Sequence, residues 1–292
     1  MTTFQPRKRT MPPMLLAAAL WAALQIVRIA AFPTVQAILA GQAAVEWLYP
    51  SIVDVLIGVT APLIAWLIWR KAGFGPRLAA LIWFAVSALA HVETFVLNLI
   101  SAKPDAWFGM SQGAAGLLLA LFAVLDVWAA ALVFRRLRQE TAADAASQLK
   151  PPRALLISFL VWGVLQIGRL IAIPILQNIF SGGTDHPAWL LPAFGDIVIA
   201  LAAPVVMWLF ARKRGLWVWA VALAWLFLSI YDHMSTVVAS STTPPPQIFG
   251  GGTTVKAATG AFPAIQAGID AVLFIGMAMW LAARRSRTAV RA

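Results

Sequence analysis

The chain contains no cysteine. That excludes a disulfide framework, a thiolate nucleophile and any cysteine-ligated zinc or iron–sulfur centre. Charge is also scarce: Asp, Glu, Lys and Arg make up 11% of the 292 residues, and only three residues are histidine. Hydrophobic residues make up 61%, and the mean hydropathy of +0.83 lies outside the range of soluble globular domains.

In place of charge there are apolar stretches of about 20 residues, the length that crosses ~30 Å of hydrocarbon. Eight are read, at 13–32, 50–69, 78–100, 113–134, 153–173, 192–211, 216–240 and 261–283. The expected fold is an all-α integral membrane protein with eight transmembrane helices, its first partner being the lipid bilayer.

The net charge of +11 invites a nucleic-acid reading, which the placement of the basic residues removes. Arg7, Lys8 and Arg9 precede the first span. Arg70, Lys71 and Arg77 lie at the second connection, Arg135, Arg136, Arg138, Lys150 and Arg153 at the fourth, and Arg212, Lys213 and Arg214 at the sixth. Arg284, Arg285, Arg287 and Arg291 end the chain, while the opposite side carries only Lys103 and Lys256. This is the positive-inside pattern of a bacterial-type inner membrane protein with both termini in the cytoplasm. The charge encodes topology, and no nucleic-acid partner is expected. The first span follows a basic N-terminal segment as a signal peptide would. Its internal counterpart leads us to expect a retained helix.

That counterpart is Trp162–Gly182, `WGVLQIGRLIAIPILQNIFSG`, which matches Trp21–Gly41, `WAALQIVRIAAFPTVQAILAG`, at ten of 21 positions. The shared residues include Gln25/Gln166, Arg28/Arg169 and Pro33/Pro174. Shifted by 142 residues, Asp54 meets Asp196, Pro62 meets Pro204, Trp83 meets Trp225, and Ser87, His91 and Thr94 meet Ser229, His233 and Thr236. The fourth helices align through Asp126 and Asp270. Four spans return the chain to its starting side, so the halves are expected to be tandem, parallel four-helix repeats. A pseudo-twofold axis along the membrane normal would relate them; inverted repeats need an odd number of spans. The expected organisation is an N-terminal segment (1–12), a first repeat (13–138), a linker (139–152), a second repeat (153–285) and a basic tail (286–292).

With the basic boundary as a ruler, Asp54 and Asp196 each lie 16 residues from Arg70 and Arg212, His91 lies 14 from Arg77, and Asp270 lies 14 from Arg284. At 1.5 Å per residue these fall roughly 21–24 Å from that boundary, in one layer in the outer half of the bilayer. Asp126, nine residues before Arg135, falls deeper unless the boundary is nearer Arg138. An ionised side chain at mid-membrane costs about 2.5–3.5 kcal/mol, so such residues turn inward and find partners. The expected pairs are Arg28 with Asp54 and Arg169 with Asp196. Gln25, Gln166, Thr94, Thr236, His91, His233, Asp126 and Asp270 complete the layer of candidate ligand-binding residues. Pro62 and Pro204 each free a carbonyl one turn from the aspartates and mark possible kinks. Trp69, Trp107 and Trp189 read as interfacial anchors. The Pro-, Gly- and Thr-rich stretch 240–263 reads as a flexible connector or as a lid over the layer.

Three functions fit this layer. The leading one is binding or transport of a small polar or ionic ligand. The second places b-type haem between His91 and His233, one imidazole from each repeat, with the arginines on its propionates. The third is an enzyme acting on a lipid or quinone, in which a His–Asp pair works as acid and base.

Overall fold

The computed structural model describes residues 13–101, 110–141, 150–249 and 253–289. The described residues contain helices and no strands, and eight helices are long and apolar enough to cross a membrane. They are α1 (Pro13–Leu39), α2 (Val45–Arg70), α3 (Phe74–Ile100), α4 (Gln112–Thr141), α5 (Arg153–Phe180), α6 (Pro187–Arg212), α7 (Leu216–Thr242) and α8 (Thr253–Ala289). At about 1.5 Å per residue a 26-residue helix covers about 39 Å, enough for the hydrocarbon and part of the headgroup region. Residues 1–12 and the middle of the linker, together with Lys103 and Trp107, lie outside the described residues.

All eight helices run past their expected bounds, and in two of them a proline hides the extension. Hydropathy ends the first and fifth spans at 32 and 173, because Pro33 and Pro174 look like terminators. Both helices run on, to Leu39 and Phe180, after a short 3-10 passage at Gln25–Ala31 and at Gly168–Ala172. The cause is local. A proline has no N–H for the carbonyl four residues back. The stranded carbonyls of Ile29 and Leu170 instead accept the N–H of Phe32 and Ile173, three residues on, which is 3-10 geometry. Arg28 and Arg169 sit in these tightened passages. The helices containing Pro62 and Pro204, in contrast, continue without a break from Leu48 to Arg70 and from Leu190 to Arg212.

The Arg28 passage lies hard against α2. A Cβ added at Gly58 would come within 2.7 Å of the Ile29 backbone nitrogen, so only glycine permits the contact. Gly73 and Gly215 take positive φ values of 99° and 116° in the short turns leading into α3 and α7. Both turns are too short for anything but an antiparallel neighbour.

α3 and α7 are the most buried spans and pack on each other at the centre of the bundle. Two tilted tyrosine rings, Tyr49 and Tyr231, meet at this centre with centroids 5.4 Å apart. At the basic end, Lys71 lies over Trp66 at 5.2 Å and Lys213 over Trp208 at 5.0 Å. Arg77 ties α3 to α4 through Glu140, with Nη2 3.2 Å from Oε1. At the other end Trp189 is 2% exposed and donates its indole N–H to the Pro244 carbonyl at 2.7 Å. It packs inside the bundle, which corrects its reading as a lipid anchor; Trp69, 57% exposed, keeps that reading. The stretch 240–263 also differs from an open connector. α7 extends to Thr242, a 3-10 turn occupies Gln247–Phe249, and α8 has begun by Thr253. Asp185 holds the turn by accepting the Gln247 N–H at 2.8 Å.

Candidate functional site

Each half of the chain gathers its polar residues into a network of its own. In the first, Arg28 donates from Nε and Nη2 to Asp54 Oδ1 at 2.8 and 2.5 Å, forming the expected pair. Its Nη1 donates to Ser87 Oγ at 2.7 Å and reaches Gln25 Oε1 at 3.4 Å. Ser87 passes the chain on to Asp126 Oδ2 at 2.6 Å. The other donors to Asp126 are Trp21 Nε1 (2.7 Å), Gln25 Nε2 (3.1 Å) and His91 Nδ1 (2.7 Å). Asp126 therefore stands level with Ser87 and His91 in the layer, and α4 runs on past Arg138 to Thr141. Thr94 is not part of the network; its hydroxyl turns back onto the Ala90 carbonyl at 2.6 Å.

In the second half, Arg169 Nε donates to Asp196 Oδ1 at 2.5 Å, again as expected. Nη1 donates to Gln166 Oε1 and Ser229 Oγ, both at 2.9 Å, and Ser229 donates on to Asp270 Oδ2 at 2.6 Å. Trp162 Nε1 donates to Asp270 Oδ1 at 2.6 Å. Thr236 Oγ1 lies 3.4 Å from the Asp232 carbonyl.

The two networks then part company. Arg169 Nη2 has a second carboxylate, Asp232, and also lies 3.4 Å from His233 Nδ1. Asp232 is fully buried. A Cβ at Gly195 would overlap its carboxyl group, so glycine is required there. At the corresponding first-half positions, 142 residues earlier, stand Val53 and Ala90. The second network thus carries three carboxylates around one guanidinium, and the first carries two. It is also less satisfied: Gln166 Nε2, Asp232 Oδ1 and His233 Nε2 are buried without a hydrogen-bond partner, although His233 Nε2 lies 3.3 Å from Asp270.

The packing above the networks differs in the same sense. Phe122 closes the first, its ring 5.4 Å from Trp21 and 5.5 Å from His91. Aligned through Asp126 and Asp270, the second half has Gln266 in that place. There a cavity of about 750 Å³ opens between α5 and α8. Arg169, Asp196, His233 and Thr236 line its polar side, and most of the remaining wall is apolar. Leu165, Ile171, Phe262 and Ile265 on its walls are more than half exposed on the outer surface of the bundle, so the cavity opens to the side of the bundle. Phe249 and the first turns of α8, within the 240–263 stretch, form another wall.

His233 borders this cavity and His91 does not. A haem seated there would find one imidazole, and His91 holds Asp126 inside the other half. Among the described residues, no group of three His, Cys, Asp or Glu is arranged to hold a metal ion. No protein-family model, curated protein or solved structure matches the chain.

Three residues escaped the sequence reading: Asp232, Glu93 and Tyr231. Tyr231 donates its hydroxyl to Glu93 Oε2 at 2.6 Å across the α3–α7 contact, and Tyr49 donates to the Tyr231 carbonyl at 2.5 Å. Glu93 is buried and its Oε1 has no hydrogen-bond partner. A usable signal was present, since Tyr49 and Tyr231 are the only tyrosines in the sequence.

Proposed function

We propose that this chain is a membrane protein that binds, or carries, a small amphipathic ligand drawn from the bilayer. Its eight helices form two parallel four-helix repeats about a pseudo-twofold axis, in a bacterial-type inner membrane with both termini in the cytoplasm. The second repeat is the binding half and the first is its closed structural counterpart. One observation carries this reading: the cavity of about 750 Å³ against Arg169, Asp196 and His233 stands where Phe122 fills the first half. A site with apolar walls, polar groups at one end and a lateral opening suits a ligand with an apolar body and a polar head. The volume is in the range of small-molecule sites. The first network is a clamp, because its buried charges hold α1, α2, α3 and α4 together.

Filling the cavity tests the proposal. Gln266→Phe restores the residue type of the first half and should abolish saturable binding of amphipathic probes, measured by quenching of Trp162 and Trp189 fluorescence. The variant should fold at least as well as wild type. Unchanged binding in Gln266→Phe would overturn the assignment. A visible spectrum before and after dithionite settles the haem alternative independently: a Soret band lost in both His91→Ala and His233→Ala would replace this reading.

A further inference from the structure

We infer that the ligand of this cavity is a lipophilic organic cation. The inference rests on the binding reading above and adds the sign of the head group. Three observations carry it. The first is the charge within reach. Arg169 lines the cavity, but its N–H groups already point at Asp196, Gln166, Ser229, Asp232 and His233. The guanidinium is 4% exposed, whereas the Asp196 side chain is 23% exposed. The charged group that a ligand meets is therefore the carboxylate, and the basic group behind it is spoken for.

The second is the surplus of acid. One guanidinium faces Asp196 and Asp232 directly, and Asp270 is linked through Ser229. His233 Nδ1 faces an Arg169 N–H, so the ring accepts there and adds no positive charge. Three carboxyl groups gathered around one guanidinium form a cluster whose ionised form a further cation would stabilise. The third is the wall. Trp162, Trp189, Phe249 and Phe262 border the same cavity. Aromatic rings attract a poorly hydrated cation through their negative faces, by an amount equivalent to several-fold to about thirtyfold in affinity. An organic anion would meet the exposed Asp196 carboxylate and gain nothing from the rings.

The test uses purified full-length protein and three probes of like shape and different charge: tetraphenylphosphonium, tetraphenylborate and neutral triphenylphosphine oxide. Binding is titrated by tryptophan quenching on wild type, with the non-saturable part of each curve taken as micelle background, and the titrations are repeated on Gln266→Phe. The expected result is saturable binding of the phosphonium at least about tenfold tighter than of either other probe. Asp196→Asn, which keeps an oxygen for Arg169, should reduce that preference toward parity. Equal or tighter binding of the borate, or of the neutral probe, would overturn the cation assignment and leave the amphipathic site standing. If none of the three shows a component removed by Gln266→Phe, both the assignment and the site fall. The comparison among probes is made on wild type, so it stands even if a variant does not fold.

Discussion

Replacing Asp54 by leucine removes the carboxylate that takes two N–H bonds from Arg28, at 2.8 and 2.5 Å. Both residues are 6% exposed, so water cannot take its place. Arg28 keeps Ser87 and Gln25, which are neutral. Breaking a buried pair from one side costs about 3–5 kcal/mol, and the retained hydrogen bonds put Asp54→Leu near the lower end, about 3 kcal/mol. Arg28→Met alone should cost a similar amount by stranding Asp54. The double variant removes both charges and substitutes apolar volume, so it should lose only about 1 kcal/mol. The same pair of changes in the second half must behave differently. Arg169→Met with Asp196→Leu leaves Asp232 buried and without its cation, so the loss stays at about 3 kcal/mol or more. Adding Asp232→Ala, the residue type at the first-half position, should recover most of it. Equilibrium unfolding in mixed micelles, followed by tryptophan fluorescence, measures each difference. A first-half double variant as unstable as the sum of its singles would refute the reasoning. So would a second-half double variant rescued without touching Asp232.

Other consequences follow from single contacts. Gly195→Ala pushes a methyl group into the Asp232 carboxyl and should cost about 1–3 kcal/mol; Asp232→Ala should suppress that loss in the same unfolding assay. Tyr231→Phe takes away the donor to Glu93 and leaves a second oxygen of a buried carboxyl unpartnered. It should destabilise by about 1–3 kcal/mol, and Glu93→Leu in the same chain should restore much of the loss. Arg77→Ala removes the α3–α4 tie at Glu140 near the basic end, far from the cavity. It should lower the melting temperature while leaving probe affinity within about twofold, since distant sites combine nearly independently.

The sequence made the spans legible because bilayer thickness fixes their length, and the Arg–Asp pairs legible because a buried charge must find its opposite at equal depth. Helix ends were misjudged at Pro33 and Pro174: proline ends an α-helix only when no 3-10 turn takes up its orphaned carbonyl, and that depends on the chain around it. The depth of Asp126 depended on whether the basic boundary of α4 lies at Arg135 or at Arg138, which the spacing of charges leaves open. The larger omission has a different cause. Matching the halves drew attention to residues present twice, and those are the ones that build the two networks. Asp232 has Ala90 opposite it, Glu93 has Ser235, and Gln266 has Phe122. Residues without a double were passed over, yet they separate the closed half from the open one. Their meaning depends on contacts between helices distant in sequence, such as Gly195 against Asp232, which no periodicity displays.

The central claim is that the second half alone holds a ligand, between α5 and α8. The most direct measurement is photolabelling of the full-length protein with a diazirine-bearing lipophilic amine, followed by peptide mapping with and without excess unlabelled amine. The account predicts label that the competitor removes on the segments 162–175 and 258–269, and only non-competable label on α1 and α4. Competable labelling shared equally between the two halves, or absent from 162–175 and 258–269, would contradict it.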